Sequence, residues 1–278
     1  MIDLMIPPVV AALVILSIHS YFGLHVLARE VIFVDLAFAQ MAVLGTTVAL
    51  LMGIEHGTTI SLLFSLGFTL LAALIFSFTR MERSAVPQEA IVGITYVVAT
   101  ATVILLAGFT AEGAEHLRET MTGMLIWVDW HTIGVMAGVY AIIGVFHYIF
   151  RHKFLVVTLQ PERADNLPLW DFLFYVSFGI VISFSVEIAG VLVVFSALVI
   201  PAVIAFLFTN RFGVALLIAW VSGTLAIGSG ISASFYWDIA TGPLLVCVFG
   251  AVLVVAAILR RVVRIPLDQR ITVRRRAP

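Results

Sequence analysis

Residues 170–208 read WDFLFYVSFGIVISFSVEIAGVLVVFSALVIPAVIAFLF, and apart from Asp171 and Glu187 they carry no charge. A bilayer's hydrocarbon core asks about twenty consecutive apolar residues of a helix. The run suffices for two such helices, read as 170–186 and 188–208, with a tight outer hairpin at Glu187. Working outward, comparable runs recur at approximately 5–27, 32–52, 58–79, 90–109, 131–150, 213–233 and 242–259. The expectation is an all-α integral membrane protein, a polytopic bundle of about nine transmembrane helices, with eight to ten possible.

Composition agrees. Apolar residues make up 62% of the chain and charged residues 11%, against about 45–50% and 25% in soluble domains. Mean hydropathy is +1.16. The first run lacks a small-residue cleavage site and is followed by further spans, so it reads as a retained helix. Cys247 is the single cysteine, which excludes an intramolecular disulfide framework and a CxxC metal site. Residues 1–259 read as one transmembrane domain and 260–278 as a basic tail.

Charge distribution orients the spans. The alternate breaks after the first, third, fifth, seventh and last spans hold all the Lys and Arg residues except Arg118. Cytoplasmic loops carry the Lys/Arg excess, so the carboxy terminus is expected inside and the amino terminus outside. The opposite breaks are acidic: Glu55, then Glu112, Glu115, Glu119 and Asp129, then Glu187, then Asp238. Residues 110–130 read as an outer loop leading into a short interfacial segment, with Trp127 and Trp130 at headgroup depth.

An ionisable residue inside a span is costly and therefore a functional candidate. Asp35 sits near the inner start of the second span. It reads equally as a headgroup-level residue, paired with Arg29 or capping the helix. Gln40 lies deeper, where an unpaired amide is expensive, so it bonds to a neighbouring helix or lines a wet pathway. His19, His25 and His147 read as packed residues, and no histidine pair has the i, i+4 spacing of a helical metal site. Gly134 with Gly138, and Gly223, Gly228 and Gly230, read as points of close helix approach. Pro201 is expected to kink the seventh span. Gln160 to Leu167 reads as a short charged inner helix with Pro161 in its first turn, or as a solvated loop.

Absences narrow the function. Lys153 is the only lysine and no G-x-x-x-x-G-K-[ST] surrounds it, so this chain carries no P-loop ATPase site. GxSxG and HExxH are absent too, and the chain reads as a non-enzyme. Any ATP hydrolysis that drives it belongs to another subunit.

Four segments carry a resemblance. Glu89-Ala90-Ile91-Val92-Gly93-Ile94-Thr95-Tyr96 resembles an E-x-x-I-G-I-x-[FY] segment, and Thr122 to Val128 an F-G-x-L-L-x-V stretch. Val191 to Ala202, ending Ile200-Pro201-Ala202, resembles L-L-V-x-A-L-L-x-I-P-A, and Ser232 to Pro243 an S-Y-Y-x-D-x-P-[ST]-G-[AP] turn. Together, in this order, they resemble the ABC-3 family, the permeases of bacterial zinc, manganese and iron ABC importers.

The resemblance implies a permease in the bacterial cytoplasmic membrane that moves a divalent metal ion or metal complex. Its partners would be a second copy of the permease, cytoplasmic P-loop ATPase subunits that use ATP, and an extracytoplasmic metal-binding protein. Lipid would surround the spans, with no nucleic acid and no cofactor bound by this chain. Glu162, Arg163, Ala164 and Asp165 fall where such permeases contact the ATPase, and Glu112, Glu115 and Glu119 would meet the binding protein. The family's second span carries D-A-[ILV]-S-H-A, whose Asp and His touch the metal in transit. Aligned on Gly45, Leu36 stands for that Asp and Gln40 for that His, with Asp35 one residue away. Asp35 and Gln40 are therefore the expected translocation-path residues. Other readings are a cobalamin- or siderophore-type permease, a proton-coupled secondary carrier and a non-transporting scaffold.

Overall fold

The computed structural model describes residues 2–55, 57–79, 86–109 and 113–263. Glu112 and the tail beyond Val263 lie outside them. In chain order the helices are α1 (Ile2–Ala28), α2 (Val34–Leu51), α3 (Thr59–Thr79), α4 (Gln88–Ala107), α5 (Gly113–Thr122), α6 (Trp130–Ile149), α7 (Arg151–Leu159), α8 (Leu167–Phe208), α9 (Phe212–Trp237) and α10 (Thr241–Val263). Single 3-10 turns lie at Leu125–Trp127 and Pro161–Arg163, and the described residues contain no strand.

Eight of these helices are long and apolar enough to cross a membrane. One of them, α8, has 42 residues. At about 1.5 Å per residue it is twice the length a bilayer needs. It is two helices in one run, broken at Gly190 by φ 75 and ψ 159, so the described residues hold nine apolar segments of spanning length. The break is three residues beyond the expected one: Glu187 lies within the helix. Among the described residues of α8, Gly190 alone has non-helical dihedrals, so the expected disruption at Pro201 takes no such form.

The chain forms two compact units. Among the described residues, unit 1 comprises those of 2–29, 125–137 and 192–263, and unit 2 those of 30–124 and 138–191. Within unit 1, α1 packs on α9 and α9 on α10. A methyl on Gly23 would lie 2.1 Å from the Leu198 carbonyl oxygen, and one on Gly223 2.3 Å from a Leu16 methyl. In a bilayer such close approach, rather than water exclusion, holds helices together. Gly230 meets Leu245 similarly, but Gly134, Gly138 and Gly228 have no such neighbour among the described residues. The expected GxxxG contact at Gly134 and Gly138 is therefore not made among the described residues. Asp129 starts α6 by accepting the Thr132 amide at 2.8 Å, the role of an N-cap aspartate. At the end of α9, Asp238 adopts left-handed dihedrals, and the Ser234 hydroxyl bonds to the Ile239 carbonyl at 2.6 Å.

In unit 2, α2 packs on both α3 and α4. Its small residues Ala37, Ala39, Ala42, Gly45 and Ala49 permit this, and all are buried. Gly45 is tightest: a methyl there would lie 2.5 Å from the Phe64 carbonyl oxygen. Past the end of α2, Gly53 has φ 79, its amide bonds to Leu50 O and the Ile54 amide to Ala49 O. That is the paired 5→2 and 6→1 closure of a Schellman cap. Phe38, Phe76, Phe178 and Tyr175 interlock edge-to-face, with Phe38 and Phe76 centroids 5.2 Å apart. Gln88 reaches into this core, donating to the Tyr175 hydroxyl at 2.9 Å and to Phe76 O at 3.0 Å.

The expected loop over 110–130 contains α5, a helix that meets the α8 break backbone to backbone. Gly123 has φ 72, and a methyl on it would lie 2.2 Å from the Ala189 carbonyl carbon. The Met124 amide donates to Ile188 O at 3.1 Å beside this clamp.

Candidate functional site

The first turns of α2 and α4 converge. Asp35, 1% exposed, accepts the Leu36 amide on Oδ1 at 2.8 Å, while its buried Oδ2 has no hydrogen-bond partner among the described residues. Glu89, in the first turn of α4, accepts the Phe33 amide at 3.3 Å, which ties the entrance of α2 to α4. Its Oε2 is likewise buried without a hydrogen-bond partner. The two carboxyl groups are near enough to repel each other, and no arginine or lysine forms a salt bridge with either among the described residues. The alternative pairing of Asp35 with Arg29 is thus not made.

Gln40 is 2% exposed, and its Oε1 also lacks a hydrogen-bond partner among the described residues. Five residues separate it from Asp35, about 7.5 Å along the helix and about 140° around it. The two side chains are successive points along α2 rather than ligands of one ion. Elsewhere in unit 2 hydroxyls are routinely satisfied within their own helix, as Thr47 to Val43 O at 2.8 Å and Ser185 to Val181 O at 2.8 Å show. A buried polar atom without a partner is expensive in hydrocarbon, so the bare oxygens of Asp35, Gln40 and Glu89 mark a place for a ligand or water.

His147 and His19 are held by their neighbours. His147 stacks on Phe154 at 4.0 Å and 10° and bonds to Ser177 at 2.7 Å. His19 bonds to Ile15 O at 2.8 Å. Among the described residues no group of three or more His, Cys, Asp and Glu is placed to hold a metal ion.

Of the two readings of Gln160 to Leu167, a short helix or a solvated loop, the segment is nearer the loop. Helix comes earlier, as α7, and the later residues make one 3-10 turn before Ala164 extends and Asn166 takes φ 58. Glu162, Arg163 and Asp165 are exposed there, and Ala164 is half-buried. Lys153 donates to Asp165 at 2.8 Å, and this hydrogen bond holds the Asp165 carboxyl below the usual carboxylate range. Thus α7 and the loop present one connected polar surface.

On α5, Glu115 is exposed and paired with Arg118, whose hydrogen bond lowers its pKa. Glu119 instead lines a small cavity with Glu187 of α8. Sequence reasoning missed two things here: the place of Glu89 beside Asp35, and the meeting of Glu119 with Glu187.

Comparison with known proteins accords with this architecture. The family described as the ABC 3 transport family matches residues 1–260. The manganese transport system membrane protein MntC of Halalkalibacterium halodurans is 23% identical over 246 residues, covering 86% of this chain and 81% of that protein. The chelated iron transport system membrane protein YfeD of Yersinia pestis is 25% identical over 182 residues, covering 64% and 61%. Among solved structures, PsaBC from Streptococcus pneumoniae in complex with Fab superposes with a TM-score of 0.74 at 19% identity, covering 90% of this chain and 89% of that one. A metal-chelate type ABC transporter in an inward-facing conformation gives 0.66 at 18% identity, covering 91% and 85%. With the family matched over nearly its whole length, this multi-pass membrane chain belongs to the ABC 3 transport family.

Proposed function

We propose that the chain is the permease subunit of an ATP-binding-cassette importer in the bacterial cytoplasmic membrane, carrying a divalent metal ion or its complex. The observation that carries this reading is the row of bare buried oxygens on α2, at Asp35 and Gln40, in a chain of a transport family. A carboxylate and an amide carbonyl are oxygen donors, which suit manganese-like ions better than zinc. Relatives named for manganese and iron transport favour the same ions. A second copy of the chain would complete the pathway. ATPase subunits would dock on the connected surface of Arg163 and Asp165 with α7, and an extracytoplasmic binding protein on the exposed face of α5.

Co-purification from native membranes in mild detergent, with bound metal measured, tests the assembly. A P-loop ATPase is expected with the chain, and its absence would refute the importer reading in favour of a proton-coupled carrier or a scaffold. Glu162→Ala with Arg163→Ala is expected to leave ATP hydrolysis running while metal uptake falls. Coupled uptake in that variant would remove the loop from the docking surface.

A further inference from the structure

A cavity in unit 2 lies where four elements meet at the α8 break. It is lined by Thr46 of α2, Ser65 of α3, Glu119 and Thr120 of α5, and Ser183 and Glu187 of α8. Every polar group these side chains present is an oxygen, and two are carboxylates. Its volume is about 20 Å³, room for one water or one ion of similar size. It is too small for an organic ligand, and its carboxylates repel anions.

Ser65 supplies an independent sign that something is held there. It is 3% exposed, yet its hydroxyl makes no hydrogen bond among the described residues. Hydroxyls on the same and neighbouring helices do bond back to their own backbone: Thr69 to Leu66 O at 3.0 Å, Ser77 to Leu74 O at 3.0 Å, Ser183 to Gly179 O at 3.0 Å. Ser65 has the same option as any helical serine, does not take it, and lines the cavity. Ser183 is fixed beside it by a 3.2 Å bond to Thr69. The acidic walls are fixed too, because the Gly123–Gly190 clamp and the Met124 to Ile188 bond pin α5 to α8 just beyond Glu119 and Glu187. Four elements thus bring these oxygen-bearing side chains to one cavity, whose remaining lining (Ala42, Val43, Met124 and Val186) is apolar.

We propose that this cavity binds a single oxygen-preferring cation of the manganese class, with Glu119 and Glu187 as its charged ligands and the surrounding hydroxyls completing the shell. Hard divalent ions take carboxylate, hydroxyl and water oxygens in this manner. The site is separate from Asp35 and Gln40. Its use as a way-station for imported metal rests on the importer reading; its occupancy by a cation does not.

The test uses the full chain in lipid nanodiscs with Mn2+ as the probe, free ion being followed by electron paramagnetic resonance. Glu119→Gln with Glu187→Gln keeps the shape and removes both charges. It is expected to bind one equivalent fewer than wild type, or the same ion at least tenfold more weakly, and Mn2+ should lose its stabilising effect on thermal unfolding. Asp35→Asn should keep this equivalent. Should the double variant not fold, Ser65→Ala is expected to weaken the same equivalent several-fold. Unchanged stoichiometry and affinity in whichever variant folds would make the cavity a water-filled void only and overturn the proposal. Failure of wild type, with its ATPase, to import any metal would refute the importer reading and leave this binding result standing.

Discussion

Three glycines of unit 2 separate backbone strain from crowding. Gly53 has φ 79 with open space around it, so Gly53→Ala pays only for left-handed dihedrals, about 1–2 kcal/mol. Gly45 has no such strain, but its new methyl would meet the Phe64 carbonyl oxygen at 2.5 Å. Overpacking costs about 1–3 kcal/mol. Gly123 combines both, with φ 72 and a methyl 2.2 Å from the Ala189 carbonyl carbon. Its loss should approach the sum, about 2–5 kcal/mol.

The consequence at Gly123 is local as well. The backbone atoms it would strike belong to the α8 break, so α5 must move away and the neighbouring Met124 to Ile188 bond must open. In chains of comparable size about 2–4 °C of melting temperature accompanies each kcal/mol. Gly123→Ala should therefore lower the midpoint in detergent at least twice as far as Gly53→Ala. It should also speed tryptic cleavage after Arg118, an exposed residue of α5, which Gly53→Ala and Gly45→Ala should leave alone. Equal midpoints for Gly53→Ala and Gly123→Ala, with unchanged cleavage at Arg118, would refute the clamp between α5 and α8.

Two further outcomes follow from single contacts. Lys153→Met should raise amide exchange over residues 160–166 at neutral pH, because the Lys153–Asp165 bond spans that loop. The folded Asp165 pKa lies below its ordinary 3.8, so the tie holds above that value and is lost only as pH falls through the lowered one. Exchange there in wild type should accordingly stay flat between about pH 5 and 8 once corrected for intrinsic rates. Gln40→His replaces an amide with an imidazole and should move uptake preference toward zinc. An identical metal profile for wild type and Gln40→His, measured by competition uptake, would reduce Gln40 to packing.

How legible the fold was depended on how local the cause is. Apolar runs of spanning length are a property of consecutive residues, and the described residues hold nine segments of that length. The break between the sixth and seventh was misplaced because charge and geometry gave different answers. Glu187 looks like the interruption, but a half-buried glutamate facing a cavity fits inside a helix, whereas Gly190 takes dihedrals that L side chains avoid. The glycine pairs repeat the lesson. Gly134 and Gly138 have the favoured spacing and no near neighbour among the described residues, while Gly23 and Gly45, without that spacing, touch backbone. Spacing shows where an approach is permitted; the facing helix decides whether it occurs.

The same distinction divides the site. Asp35 and Gln40 could be singled out because an ionisable group or an amide within an apolar run is costly wherever its neighbours lie. Glu89 sits in the first turn of α4, where a carboxylate is ordinary, so its own segment gives no reason to suspect it. Only packing of α4 against the start of α2 makes it unusual, by placing a second bare carboxyl oxygen near Asp35. Glu119 and Glu187 each read in sequence as a residue of a separate outer break, with nothing to bring the two together. They share a cavity because Gly123 and Gly190 both adopt positive φ and let two backbones touch. The proposed cation site therefore depends on Gly123 and Gly190 as much as on its two carboxylates, and Gly123→Ala should weaken Mn2+ binding there without altering either carboxylate.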